Sequence, residues 1–331
     1  MKKVALYLMI AVLAVFAVAC GSGGSSTSGS TNGTAEQPQA QGAQGTPATE
    51  AQSEELTIKH QLGETKVKKN PKKVVVFDFG TLDTLDKLGV EVAALPKTSI
   101  PTYLEKYKDD KYVNVGSLKE PDFEKINEVK PDLIIISGRQ QAMYEEFKAI
   151  APTIYQGVDT SRYMESFTEN AKTIGQIFGK EAAVEEELAK INESIKKLNA
   201  EATASGKNAL IILANDGKVS AYGAGSRFGI IHDVFGFTPA DKNIEVSTHG
   251  QSISFEYIVE KDPDFLFVID RTAAVGGESS AKGVVENELV KKTKAFKEGH
   301  IVYLKPDFWY LSGGGLVSVD AMVKEVEGAL K

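Results

Sequence analysis

The sequence predicts an α/β fold of two Rossmann-like lobes joined by a single long helix. Three observations carry that expectation. Apolar, β-branched runs alternate with segments of helical spacing, the pattern of sheets covered by helices on both faces. A unit recurs at an offset of 132 residues: FEKINEVKPDLIIISGR (123–139) aligns with FEYIVEKDPDFLFVIDR (255–271), matching Phe123 with Phe255, Glu124 with Glu256, Pro131-Asp132 with Pro263-Asp264 and Arg139 with Arg271. Between the two units, Glu181 to Ala202 contains no glycine or proline and is rich in Ala, Glu, Leu and Lys, so it reads as one uninterrupted helix.

The elements follow in order. Leu56 to Val67 reads as a polar hairpin turning near Gly63. Lys73 to Phe77 is a strand, and Thr81 to Leu88 a helix that Gly89 stops. Val92 to Leu95 is a strand before Pro96. Phe123 to Val129 is a helix, Leu133 to Ile136 a strand, Met143 to Ile150 a helix and Thr153 to Tyr155 a strand. Met164 to roughly Ala204 is helical, punctuated at Gly179 and ended by Gly206. A second alternation then begins: strands at Ala209 to Leu213 and Val219 to Tyr222, helices at Phe228 to Phe235 and Ile253 to Val259, strands at Phe265 to Ile269 and Ile301 to Leu304, and a closing helix from Leu316 to Leu330. Both alternations predict parallel sheets. The divisions are a first lobe at 55–177, an interlobe helix at 178–206 and a second lobe at 207–331.

The N-terminus sets the compartment. Lys2 and Lys3 precede an apolar run, Val4 to Ala19, too short and too soon followed by small residues for an ordinary membrane span. Residues 1–19 are read as a signal peptide. Ala17-Val18-Ala19-Cys20 has the form of a bacterial lipobox, with Cys20 as the lipidated N-terminus, although leucine is commoner at the first position. Residues 20–54 are then a lipidated flexible tether of Gly, Ser, Thr, Gln and Ala. Cys20 is the only cysteine, so no disulfide within the chain can form. The expected location is the outer face of the cell membrane, held by lipid.

The chain has 38 Lys and Arg against 45 Asp and Glu, a formal net charge of −7, or −9 without Lys2 and Lys3. An acidic body argues against nucleic-acid binding, and Lys66, Lys68, Lys69, Lys72 and Lys73 read as a solvated edge. Only four basic residues are arginine: Arg139, Arg162, Arg227 and Arg271. Guanidinium offers a planar fork of donors and a permanent charge, suited to anionic ligands. A lone arginine after a strand is ordinarily a surface residue. Arginine scarcity and the repeat set Arg139 and Arg271 apart from that.

The body, roughly 55–331, resembles the class III periplasmic-type binding proteins that serve ABC importers of ferric siderophores, haem and cobalamin. The paired F-E-x-I-x-E-x-x-P-D units, the long helix and the lipidated start carry the resemblance. It is similar in particular to the catecholate, petrobactin-type siderophore-binding lipoproteins of Gram-positive bacteria. That resemblance rests on FDFGTLDTLDKLG (77–89), GSLKEPDFEKI (116–126), GSRFGIIHDVFG (225–236), STHGQSISFEYI (247–258), FVIDR (267–271) and WYLSGGG (309–315). It implies that Arg139, Arg227 and Arg271 meet an anionic iron chelate, with Arg162 outside the motifs as a secondary candidate. It also implies that His249 and Tyr310 ligate iron where an incomplete chelator leaves sites open. Glu124 and Glu256 would dock onto the permease, with Glu120 as a rival to Glu124. The ferric siderophore is the transported ligand, no cofactor is permanently bound and the protein is a monomer.

The residues agree with that chemistry. Ferric iron favours oxygen donors, which a siderophore supplies itself. His60, His232, His249 and His300 show no i, i+4 pairing and there is no C-x-x-C, so a direct zinc or manganese cage is disfavoured. Trp309 and Tyr310, beside Gly313-Gly314-Gly315, suit contact with flat catechol rings, Tyr310 first and Trp309 after it, with Tyr222 behind them; packing in the core or at a lobe edge is the alternative for Trp309 and Tyr310. His249 lies in a polar Ser-Thr-His-Gly loop, where a solvated turn residue is the default reading. The triple glycine lacks a following G-K-[ST] and reads as a tight turn, not a phosphate loop. No G-x-S-x-G elbow is present, so an enzyme is not expected. The alternatives are a receptor for haem or a hydroxamate siderophore, and an exported chelate-processing hydrolase.

Overall fold

The computed structural model describes residues 54–277 and 280–331. The signal peptide, Cys20 and the tether up to residue 53 lie outside the described residues. Strands β1 (Glu55–His60) and β2 (Gly63–Lys68) form the expected antiparallel hairpin.

The first α/β half contains β3 (Val74–Val76), α1 (Phe79–Lys87), β4 (Ala94–Leu95), β5 (Val113–Asn114), α2 (Phe123–Val129), β6 (Leu133–Ile136), α3 (Tyr144–Ile150) and β7 (Thr153–Tyr155). Its sheet is parallel throughout, in the order β5-β4-β3-β6-β7. Strands β3, β6 and β7 are buried along their whole length, which is why they read as continuous apolar runs.

Helices α4 (Tyr163–Phe178) and α5 (Glu181–Ser205) follow, ended by Gly179 and Gly206 at φ 61° and 64°, the left-handed geometry that favours glycine. α5 buries Val184, Leu188, Ile191, Ile195, Leu198 and Ala202, a stripe at helical spacing.

The second half contains β8 (Asn208–Asn215), β9 (Lys218–Tyr222), α6 (Ile230–Asp233), β10 (Thr238–Pro239), β11 (Gln251–Ile253), α7 (Phe255–Lys261), β12 (Phe265–Asp270), α8 (Arg271–Ala274), α9 (Ala281–Val285), α10 (Lys294–Lys297), β13 (Ile301–Leu304) and α11 (Leu316–Ala329). Its sheet is separate, runs β11-β9-β8-β12-β13 with β10 beside β8, and is mixed. The expectation of a parallel sheet fails here for a local reason. Asp216 and Gly217, both at positive φ (48° and 78°), form a two-residue hairpin turn that sends β9 back antiparallel along β8. The helix expected at Phe228 to Phe235 shrinks to Ile230–Asp233, between Gly229 and Gly236. Ile253 ends strand β11 instead of starting a helix, because Ser254 caps α7 by accepting a hydrogen bond from the Tyr257 N–H.

The repeat has a physical meaning. Asp122 and Ser254 cap α2 and α7, and both helices end on a left-handed residue, Lys130 (φ 52°) and Asp262 (φ 37°). The aspartate after each proline then pins the neighbouring strand. Asp132 Oδ2 accepts from the Lys72 and Lys73 N–H groups at 2.9 Å each, and Asp264 Oδ2 from the Asn208 N–H at 2.9 Å.

The closing helix touches β13 of the second sheet but packs mainly elsewhere. α11 packs on α1 and α5, and its N-terminus meets Asp83 of α1. Asp83, fully buried, accepts from the Val317 and Ser318 N–H groups at 3.2 and 3.0 Å. A Cβ at Gly315 would stand 1.9 Å from Asp83 Oδ1 and 2.1 Å from the Gly80 carbonyl oxygen, so glycine is required for this approach. Burial pushes the Asp83 carboxyl up to about 7, although Ser318, Val317 and Tyr103 hydrogen bonds pull the other way.

A candidate ligand cleft at the carboxyl ends of both sheets

The carboxyl edge of the first sheet carries one row of polar side chains. Val76 pairs with Ile135 and Ile136 with Tyr155. The ladder continues through Phe77 N–H to the Ile135 carbonyl and Gln156 N–H to the Ile136 carbonyl, both at 2.8 Å. Asp78, Ser137 and Gln156 therefore stand side by side just past β3, β6 and β7. In the second sheet Ile269 pairs with Leu213 and Asp270 with Ala214, which brings Arg271 level with Asn215. Arg271 Nη1 donates to Asn215 Oδ1 at 2.6 Å. Ligands of open α/β sheets bind at such carboxyl ends.

Between the edges lies a cavity of about 660 Å³, lined among others by Asp78, Arg139, Gln156, Arg227, Trp309 and Tyr310. Tyr310 is its centre of charge. It sits in a π-helical turn, Asp307–Ser312, a geometry common at functional sites. Its backbone carbonyl accepts from Arg139 Nη2 at 2.8 Å and from Arg227 Nη2 at 2.5 Å. Its hydroxyl accepts from Arg271 Nε at 3.0 Å. The three guanidinium carbons lie 5.9, 4.3 and 6.0 Å from the ring centroid, for Arg139, Arg227 and Arg271 respectively. Burial alone would push the Tyr310 phenol up; Arg227, the Arg271 hydrogen bond and the charges of Arg271 and Arg139 outweigh it and hold the phenol below its usual range. Burial and the Arg227 charge lower Arg139, while Asp78 and Tyr310 oppose them, and the guanidinium stays charged. Burial pushes the Asp78 carboxyl up, against the hydrogen bonds of Thr81 and Ser137 and the Arg139 charge.

The expected residues fall into distinct places. Arg139, Arg227 and Tyr310 line the cavity; Arg271 joins them through the Tyr310 hydroxyl without reaching the cavity wall. His249 is exposed and off the wall, whereas its neighbours Val246, Ser247 and Thr248 are on it. Trp309 touches the cavity but is 3% exposed, its Nε1 donating to Glu325 Oε2 at 2.8 Å and its ring set edge-on against Phe235. Tyr222 is buried edge-on against Phe228. Arg162 points away into ion pairs with Asp159, Glu165 and Glu169. Glu120, Glu124 and Glu256 are exposed, the last two in the first turns of α2 and α7. Gly313 to Gly315 make a close-packed turn, with the Gly313 carbonyl accepting from the Tyr163 hydroxyl at 3.0 Å. Sequence reasoning missed Asp78, Ser137, Gln156 and Tyr163. Strand register is the signal that reveals the first three.

Residues 74–308, most of the described body, match the periplasmic binding protein family. This chain belongs to the periplasmic binding protein family. It is 60% identical to the petrobactin-binding protein YclQ of Bacillus subtilis, over 86% of this chain and 90% of that protein. The crystal structure of YclQ superposes with a TM-score of 0.83, covering 84% of this chain and 99% of that one at 61% identity. The catecholate-siderophore binding protein VctP of Vibrio cholerae follows at a TM-score of 0.80 and 38% identity, covering 83% of this chain and 100% of that one. The ferric-anguibactin-binding protein FatB of Vibrio anguillarum is 31% identical over 82% of this chain and 86% of its own length. The fold is that of the class III periplasmic binding proteins, and the relatives named are binding proteins.

Proposed function

We propose that this periplasmic binding protein is an extracytoplasmic lipoprotein that captures a ferric catecholate or mixed catecholate–carboxylate siderophore of petrobactin type and delivers it to an ABC importer permease. The convergence of three guanidiniums from both halves on Tyr310 carries the reading. It gives the cleft the fixed positive charge that an anionic chelate requires. The name of the 60% identical relative, a petrobactin-binding protein, supports the choice of ligand. Tyr310, its phenol eased toward ionisation by the arginines, is suited to ligate iron left open by an incomplete chelator. His249 serves the same purpose only if its loop, Ser247 to Gly250, folds over the bound ligand. The chain has no catalytic role, and the chelate leaves as it arrived.

The test is a set of dissociation constants for ferric petrobactin, a ferric hydroxamate and haem. Ferric petrobactin should bind tightest and be recovered unchanged after incubation. Preference for the hydroxamate or haem, or recovery of a cleaved chelate, would overturn the reading. Glu124 and Glu256, exposed at repeat-equivalent helix starts, are assigned to permease docking. Changing both to alanine should abolish import while leaving binding intact. Lipidation is assigned to Cys20, and Cys20→Ala should release a folded monomer from the membrane.

A further inference from the structure

Gln156, just past β7, is 5% exposed and lines the cleft. Its Oε1 has no hydrogen-bond partner among the described residues. Such orphans are rare in folded proteins, and one at a ligand cleft invites completion from outside the chain. Its row supplies a second observation. Ser137, also 5% exposed, stands between Gln156 and Asp78 in that row, and both Ser137 and Asp78 line the same cleft. Asp78 follows β3 and Gln156 follows β7, with β6 between them, so their backbones are two strand spacings, roughly 10 Å, apart, and a ligand segment of that length reaches both. The two Thr81 bonds to Asp78 both go to Oδ1, at 2.7 Å from its N–H and 3.0 Å from its hydroxyl. Asp78 thus offers acceptor oxygens at this edge, and the Gln156 amide offers its oxygen once turned toward the cleft, while Arg139 and Arg227 present donors to the same space. A ligand that is anionic on every face fits the arginines but meets repulsion at Asp78.

We propose that Gln156 and Asp78 form a hydrogen-bond-accepting edge that engages N–H groups of the ligand, amide or ammonium, while the arginines hold the anionic iron core. Rotation about the last side-chain torsion of Gln156 brings its oxygen to the ligand. The subsite rests on the reading of the cleft as a ferric-chelate site, and it adds a selection rule: the cleft favours chelates that carry donor nitrogens beside their anionic oxygens.

The probes are the ferric complex of a linear bis-catecholamide with N–H linkers and the same complex with both linker nitrogens methylated, titrated against the full chain. The wild type should prefer the N–H chelate by about tenfold, the value of one charge-assisted or buried hydrogen bond. Gln156→Leu should shrink that ratio at least threefold. Gln156→Glu, which keeps an acceptor and loses the amide donor, should retain it. Arg227→Ala should weaken both complexes alike. Equal binding of both probes by the wild type, or a full ratio in Gln156→Leu, would overturn the subsite alone. Loss of the ratio in Gln156→Glu would show that the amide donates and would overturn it too. Should the wild type bind neither chelate, the ferric-chelate reading falls as well.

Discussion

Arg139 and Arg271 occupy equivalent places in the repeat yet keep different company. Arg139 lies against Asp78 and Arg227 and donates to the backbone carbonyl of Tyr310. Arg271 is held by the Asn215 side chain and donates to the Tyr310 hydroxyl, behind the cavity wall. The repeat fixes where each strand ends and that an arginine follows it. What each guanidinium does next depends on the neighbouring strand, which contributes Asp78 in one half and Asn215 in the other. Arg139 is a balanced charge facing the ligand; Arg271 is a donor that positions the phenol.

The strongest way to break this comparison is to remove Arg139, Arg227 and Arg271 together. Each charge-assisted bond is worth ~1.5–3 kcal/mol, so loss of the Arg139 and Arg227 bonds alone should weaken ferric petrobactin binding by roughly a hundredfold or more. Singly, Arg139→Ala should cost more affinity than Arg271→Ala, and Arg162→Ala, outside the cleft, should cost least. Equilibrium titration gives the order, and tight binding by the triple variant would show that the cleft is misplaced.

The acids of the first half sharpen the contrast through pH. Asp83 titrates near 7 in the folded protein and near 3.9 in an unfolded chain. The folded state binds the extra proton between those values. Its contribution to stability is full below about pH 4 and lost as pH rises through about 7. Urea unfolding should show the wild type losing on the order of 2 kcal/mol between pH 5 and 8. Asp83→Asn keeps an acceptor for Val317 and Ser318 and should flatten that slope. Asp78, shifted in the same direction, accounts for slope that persists. Identical slopes in both proteins would remove Asp83 from the account.

A double-mutant cycle separates the two arginines directly. Tyr310→Phe removes the hydroxyl that Arg271 uses and keeps the carbonyl that Arg139 uses. Coupling to Arg271→Ala should be about 1 kcal/mol in unfolding free energy, and coupling to Arg139→Ala below about 0.5 kcal/mol. Equal couplings would dissolve the distinction. The smallest effect is expected at Gln156: Gln156→Met exchanges an orphan acceptor for apolar surface and should raise the stability of the free protein by about 1 kcal/mol or less, as a shift in the urea midpoint.

Much of this was legible before any coordinates. Leu133 to Ile136, Thr153 to Tyr155 and Ile301 to Leu304 are strands at the expected bounds, because short runs of β-branched and aromatic residues leave little ambiguity. The glycine-free run became α5, since nothing in it interrupts helical hydrogen bonds. The hairpin at Asp216-Gly217 was missed although its residues are a strong turn signal, because the flanking strands were read as part of a parallel alternation. At the cleft, Arg139, Arg227 and Tyr310 were found by residue type and motif. Asp78 and Gln156 were not, since their importance lies in strand register, which pairs residues 19 to 59 positions apart in pairings such as Ile136 with Tyr155 and Val76 with Ile135. Sequence order likewise says nothing of the Asp83 clamp that ties the start of the closing helix to α1.

The carbonyl oxygen of Tyr310 accepts one guanidinium from each half of the protein, Arg139 and Arg227. Being main chain, that acceptor survives every substitution of the residue, and it holds both side chains before any ligand arrives. A free arginine carries about 2 kcal/mol of rotamer entropy. In this cleft most of that freedom has gone at folding, so association need not remove it again. Each guanidinium still has donors left over, already aimed. Affinity gained in this way should show as a less unfavourable binding entropy, not as additional contacts.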